Sequence, residues 1–163
     1  MSAYGLSQSL QIEQQIAAKY IEKYFTKYSG VKKWIENTIN SARESGYVST
    51  LFGRIRYIPE ITSGNSQIKA AAERVAVNTP VQGTSADIIK LAMIDIHKVL
   101  SSETSGLKDA RMLVQVHDEL LFEVPKRILK ETSMMVRKCM EGAVKLDVPV
   151  KVDIKVGDNW DEM

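Results

Sequence analysis

Cysteine is almost absent: Cys139 stands alone in 163 residues. That excludes an internal disulfide framework and a cysteine-based zinc site, and it fits a reducing compartment, so the cytoplasm is the expected location. Long apolar runs are missing as well. No segment approaches the roughly 20 apolar residues that span a bilayer. The opening MSAYGLSQSL has no basic stretch followed by an apolar core, so neither membrane insertion nor secretion is expected. Nor does one sign of charge dominate. With 22 Lys and Arg against 20 Asp and Glu, composition alone does not suggest a nucleic-acid partner, and any such contact must come from local basic patches. Internal repeats and low-complexity linkers are lacking too. What is there is an apolar share of 44% in a chain long enough for one ordinary core: one domain, or a piece of one.

Apolar spacing organises the first third. Ile16, Tyr20 and Tyr24 form one i, i+4 row and Ala17, Ile21 and Phe25 another, so an amphipathic helix is expected from Gln8 to Tyr28, ended by Ser29-Gly30. Val31, Trp34, Ile35, Thr38, Ile39 and Ala42 predict a second, packed against the first and stopped by Gly46. Tyr47 to Ile58, with Gly53 inside it, reads as a short hairpin, and Thr62 to Gln67 as a polar loop. A further helix starts near Ile68. Pro80 and Gly83 disturb it, and the TSAD sequence at Thr84 resembles a capping box, so a kink and restart are expected there.

Arg111 to Pro125, RMLVQVHDELLFEVP, carries the strongest local signal. Met112, Val114 and Val116 alternate with Leu113, Gln115 and His117, and the return run from Leu120 to Val124 stops at Pro125, where a ladder donor disappears. The expected structure is a β-hairpin with Asp118 and Glu119 at its reversal. Rigid strands under an open tip would make a good mount for a metal-binding carboxylate. Asp also favours turns on its own account, so these residues taken alone read first as ordinary turn acids. After the hairpin, Ile128, Met135, Val136, Cys139, Met140, Ala143 and Val144 form a helical apolar stripe. Val148, Val150, Val152, Ile154 and Val156 then alternate with Lys and Asp as a half-buried strand would. Trp34 and Trp160 read as packing anchors. The fold class is α+β: a small antiparallel sheet packed by several helices.

On a helix, Arg74, Asn78 and Gln82 fall at i, i+4 and i+8 and share a face if the Pro80 kink is mild. All three can donate hydrogen bonds. Every base pair offers N3 or O2 acceptors in the minor groove, so such donors can check pair shape without reading sequence. A solvated polar helix face is the plain alternative. Arg54 and Arg56, flanked by Tyr47 and Tyr57, could contact phosphate or could simply be exposed cations on an edge strand.

The hairpin segment closely resembles motif C of bacterial family A DNA polymerases, whose palm hairpin carries a metal-binding aspartate in a VHDE sequence. GYVSTLFGRIRYIP, from Gly46 to Pro59, resembles the family's TLxGRxRY hairpin, although Ile55 stands where the family often has a third arginine. AAAERVAVNTPVQGTSADIIK resembles its long kinked helix along the primer-template, and VPVKVDIKVGDNWDE its C-terminal end. The blocks keep family order over nearly the whole chain.

This resemblance implies a fragment of polymerase palm and partial fingers, with residues 1–45 as fingers-side helices and 46–163 as the remaining fingers and palm. It implies that Asp118 binds Mg²⁺ in a two-ion site, that Glu119 supports that site from its edge, and that His117 contacts the primer near its 3′ end. Arg74, Asn78 and Gln82 would meet the minor groove of primer-template DNA, and Arg54 and Arg56 its phosphates. Deoxynucleoside triphosphates would be substrates of the intact enzyme. Motif A, with the second metal-binding aspartate, and the nucleotide-binding helix are not in this sequence; MSAYGL resembles the segment just beyond that helix. An inactive fragment of a DNA polymerase is therefore expected, one that needs the missing N-terminal segments and self-associates through exposed apolar surface. A non-catalytic DNA-binding module is the alternative, and a nuclease acting through one carboxylate is disfavoured, since a two-metal clamp needs several acids.

Overall fold

The structure is a computed structural model that describes residues 2–162. In chain order it contains α1 (Ala3–Leu10), α2 (Gln14–Lys27), α3 (Ser29–Ser45), β1 (Tyr47–Ser49), β2 (Ile55–Tyr57), α4 (Ser66–Leu100), β3 (Arg111–Val116), β4 (Glu119–Glu123) and α5 (Leu129–Gly142), with three short 3-10 turns. The class is α+β as expected, but the strands form two separate antiparallel pairs, β1 with β2 and β3 with β4. The chain divides into two compact units, one up to Pro80 and one from Val81 onward.

In the first unit, the single helix expected from Gln8 to Tyr28 is two. α1 begins at a Ser2 cap whose side chain accepts from the Gly5 N–H, and it closes at Gln11, which has φ 54° and returns its N–H to Ser7 O. A left-handed residue closing onto the last turn is a complete helix stop, and apolar periodicity carries no trace of it. α2 uses the row Ala17, Ile21 and Phe25 inward, while Ile16, Tyr20 and Tyr24 stay exposed. α3 ends as expected at Gly46, with φ 78° and its N–H on Ala42 O; only glycine takes that conformation without strain. Trp34 lies exposed rather than anchored.

The core of this unit joins Ala42 of α3, Val48 of β1, Ile58, Ile61, and Ala72 and Ala76 of α4. Small residues on α3 and α4 let the helices approach the hairpin closely. An ion pair from Arg43 to Glu73, at 2.5 Å, ties α3 to α4 at the surface.

α4 is capped by Asn65, just before its first residue, whose Oδ1 accepts from the N–H groups of Gln67 and Ile68. It then runs unbroken to Leu100 with Pro80 inside. The expected interruption and restart at Thr84 do not occur, since a proline removes one intrahelical bond and the remaining bonds on either side still define a helix.

In the second unit, Ile96, Leu100, Leu107, Ala110 and Val136 are the buried core, and Leu120, Phe122 and Val124 of the β3–β4 arm pack on it with Met135, Cys139 and Met140 of α5. The α5 stripe is as expected from Met135 to Met140, although Ile128 precedes the helix and Ala143 and Val144 fall beyond its end. Burial pushes the Cys139 thiol up, with the Asp95 charge adding to it, so this is a packing cysteine rather than a reactive one. The segment from Val148 to Val156 keeps a period-two burial pattern over Val150, Val152 and Ile154 but forms no strand. A strand exists only with a ladder partner, and among the described residues none lies alongside. Trp160 is exposed in a 3-10 turn.

Thr132 on α5 is almost fully buried, and its Oγ1 has no hydrogen-bond partner among the described residues. An unpaired buried hydroxyl costs about 1–3 kcal/mol, whereas an apolar group of the same shape costs nothing comparable. Thr132→Val should therefore raise stability by about 1 kcal/mol, read as a higher urea midpoint with an unchanged slope.

Candidate functional site

The β3–β4 arm is built as a tight reversal. Val116 pairs with Glu119, which leaves His117 and Asp118 as the two-residue loop. His117 takes φ 53°, a left-handed conformation that histidine adopts more readily than most side chains. Glu119 is thus the first residue of β4 rather than a tip residue, and only Asp118 of the two acids lies in the turn itself. His117, Asp118 and Glu119 are all exposed. Their side chains make no hydrogen bond or ion pair among the described residues, so the carboxylate and imidazole are available to a ligand.

Two features hold the tip, and sequence reasoning found neither. Nε2 of Gln115 donates to the carbonyl oxygen of His117 at 2.8 Å, bracing the loop from within β3. The available signal was a lone polar residue inside an apolar strand, two positions before the reversal. The second feature is a bulge: Met112 pairs with Phe122 but Val114 pairs with Leu121, so Leu113 is extra. The simple alternation of Met112, Val114 and Val116 therefore breaks. Met112 and Gln115 share the face of Phe122 and Leu120, whereas Val114 and Val116 share the opposite face with Leu121 and Glu119.

α4 carries all three donors. Arg74, Asn78 and Gln82 are exposed along one continuous helix, while Ala72 and Ala76 are buried. None of the three side chains is engaged by another described residue. Arg74 and Asn78 belong to the first unit and Gln82 to the second.

The first hairpin carries two arginines. Gly53, at φ 82°, closes the turn, with the Gly53 N–H on Thr50 O and the Arg54 N–H on Thr50 Oγ1. Arg54 is exposed beside that turn. Arg56 pairs across the strands with Val48, and its Nη1 donates to Thr79 Oγ1 of α4 at 3.4 Å. It is anchored to its own unit, a tie that nothing in the local sequence signals. Tyr47 and Tyr57 face each other edge to face at 6.0 Å.

No three of His, Cys, Asp and Glu gather into a metal cage among the described residues. A hard divalent cation takes about six oxygen ligands. Asp118 has the right donor chemistry and exposure for one corner of such a site, and among the described residues no cluster of His, Cys, Asp and Glu completes it.

A sequence model of DNA polymerase family A matches residues 1–162. The chain is 48% identical over 160 residues to DNA polymerase I of Bacillus caldotenax, covering 98% of this chain and 18% of that protein. It is 48% identical over 162 residues to DNA polymerase I of Pseudomonas aeruginosa, covering 99% and 17%. Against the thermostable DNA polymerase I of Thermus aquaticus it is 45% identical, covering 98% and 19%. A solved structure of the POL domain of Pol1 from M. smegmatis, in complex with DNA primer-template and dNTP, superposes with a TM-score of 0.91 at 45% identity, covering 99% of this chain and 28% of that one. The chain thus spans less than a fifth of the length of these curated relatives.

Proposed function

The chain belongs to DNA polymerase family A, and from that premise we propose that it is a palm and partial fingers portion of a DNA-directed DNA polymerase that cannot extend a primer by itself. The observation that carries this reading is the braced two-residue reversal presenting Asp118 to solvent, in a chain whose solved relative was captured with DNA primer-template and dNTP. In the intact enzyme the two Mg²⁺ ions, when bound, activate the primer hydroxyl and stabilise the leaving pyrophosphate. Asp118 supplies one ligand, with Glu119 at the edge of the site. The other ligands come from outside these residues, which is why the isolated chain is inactive.

The other residues hold DNA. His117, next to the carboxylate, meets the primer near its 3′ end. Arg74, Asn78 and Gln82 donate to minor-groove acceptors common to every base pair, and Arg54 and Arg56 lie against phosphates, with Arg56 preset by Thr79. The helices before Gly46 lie on the fingers side, and the remainder supplies the rest of the fingers and the palm. Deoxynucleoside triphosphates are the substrates of the whole enzyme, and the cytoplasm is its compartment.

Duplex binding by this chain tests the reading without requiring catalysis. Fluorescence anisotropy with a primer-template should show affinity falling steeply with salt, because cations on the protein release counterions from phosphate. Arg74→Ala should weaken binding roughly tenfold, equally for two unrelated sequences, since the groove acceptors it meets are shared. Absence of binding at low salt, or a loss confined to one sequence, would contradict the assignment. Salt-sensitive binding with no synthesis under any complementation would instead favour a non-catalytic DNA-binding module.

A further inference from the structure

The peptide that joins His117 to Asp118 lies between the last paired residues of the reversal, Val116 and Glu119, so the strand ladder does not hold it. Its carbonyl oxygen accepts instead from Nε2 of Gln115 at 2.8 Å, and among the described residues no backbone N–H reaches it. Gln115 is exposed, so this bond is not a by-product of core packing. The bulge at Leu113 makes the arrangement possible. Carried on without it, the register of Arg111 on Glu123 and Met112 on Phe122 would set Gln115 opposite Glu119 and leave Val116, His117 and Asp118 in a longer loop. With the bulge, Gln115 stands opposite Leu120, which packs on the core of its unit. The amide thus has a fixed base beside the carbonyl it holds.

The orientation of this one peptide separates the two favoured forms of a two-residue hairpin turn. Both forms place a positive φ at the first loop residue, and one of them places it at the second residue as well. Here His117 has φ 53° while Asp118 is not positive. Rotation of the intervening peptide leads to the other form, and Asp tolerates the left-handed region better than most side chains. That rotation would swing the His117 carbonyl away from Gln115 and reverse the sign of φ at Asp118. Side-chain rotamers follow backbone φ and ψ. A loop passing between the two forms would therefore spread the Asp118 carboxylate over more than one direction.

We propose that Gln115 is a positioning residue for metal binding: by holding the His117 carbonyl it keeps the reversal in one turn form, and so keeps the Asp118 carboxylate aimed in one direction. This role rests on the reading of Asp118 as a Mg²⁺ ligand. Gln115 itself touches neither metal nor DNA. Groups that orient a ligand from behind commonly contribute tenfold or more to metal affinity, and a single amide bond suffices here because nothing else restrains the peptide.

Two variants test this. Gln115→Met keeps the length of the side chain and removes the donor; Gln115→His keeps an N–H the same number of bonds from Cα and is neutral at about pH 8. NMR on the chain alone, without metal or DNA, reads the turn. The wild type should give single signals at His117, Asp118 and Glu119, with a negative φ at Asp118. Gln115→Met should add microsecond-to-millisecond exchange confined to those residues, with a positive-φ contribution at Asp118, and Gln115→His should remove it. In the complemented polymerase, Gln115→Met should raise the Mg²⁺ concentration for half-maximal synthesis about tenfold and leave the KM for primer-template unchanged, with Gln115→His again close to wild type. A turn that stays single in Gln115→Met overturns the proposal, and so does exchange that Gln115→His fails to quiet. An unchanged Mg²⁺ requirement, in a mixture that Asp118→Ala silences, overturns the positioning role and leaves Asp118 as the ligand. Full activity of the Asp118→Ala mixture would overturn the ligand assignment and the positioning role with it, and the NMR result would still stand as a property of the turn.

Discussion

Asp118→Ala should reduce primer extension at least about a thousandfold when this chain is combined with a polypeptide carrying the remaining segments of a family A polymerase domain. A metal clamp contributes several kcal/mol to the stabilisation of the transition state, and each 1.4 kcal/mol is a factor of ten in rate. Asp118 sits in a two-residue loop with no competing partner among the described residues, so its removal should leave the strands intact and delete only the ligand. Asp118→Asn should fare nearly as badly, because the neutral amide keeps the shape and loses the charge. Glu119→Gln should cost far less. Glu119 begins β4 and pairs with Val116, so it lies beside the tip and not in the turn. The wild-type chain alone, with Mg²⁺ and all four nucleotides, should make no product. Synthesis by the isolated chain, or full activity of the Asp118→Ala mixture, would remove the basis for placing the metal ligand here.

How much of this was legible depends on the range of the interaction. The β3–β4 reversal was readable because alternation and a terminating proline are local, and Gly46 as a helix stop was readable because its left-handed conformation has a residue signature. That Arg74, Asn78 and Gln82 are each exposed on α4 agrees with the helical spacing. The failures have three physical sources. Gln11 adopts a left-handed conformation without being glycine, so α1 and α2 looked continuous. Pro80 sits inside α4, where the bonds on either side outweigh the one it removes. The segment around Val152 has a strand's pattern without a ladder, because pattern records which side is apolar and not whether a neighbour is present. At the hairpin the turn that carries Asp118 was legible and its supports were not. The Gln115 brace on His117 and the anchoring of Arg56 by Thr79 are single side-chain contacts, and no periodicity encodes them.

Ile96→Ala should be the most damaging single substitution to the fold of the second unit. Ile96 is completely buried on α4, and it touches the cluster of Leu100, Leu107, Ala110 and Val136 on which Leu120 and Phe122 of β4 rest. Deleting a buried isoleucine to the β-carbon costs about 3 kcal/mol, partly from lost transfer energy and partly from the cavity left behind. Small domains have only about 5–15 kcal/mol in all, and much apolar surface here remains in water. The effect should be regional. The first unit has its own cluster around Ile58 and Ile61, so amides of β1 and β2 should keep their protection while exchange in β3 and β4 accelerates about a hundredfold. Ile61→Ala, removing the largest fully buried side chain of the first unit, should reverse the pattern. Hydrogen exchange on the two variants decides the matter: loss of protection spread evenly over both hairpins in either variant would show that the two cores unfold as one. The same experiment bears on function, because the Asp118 loop is carried entirely by β3 and β4. A hairpin loosened by Ile96→Ala should present its carboxylate less precisely, and the complemented polymerase should lose activity even though Ile96 lies in the core, away from the reacting groups.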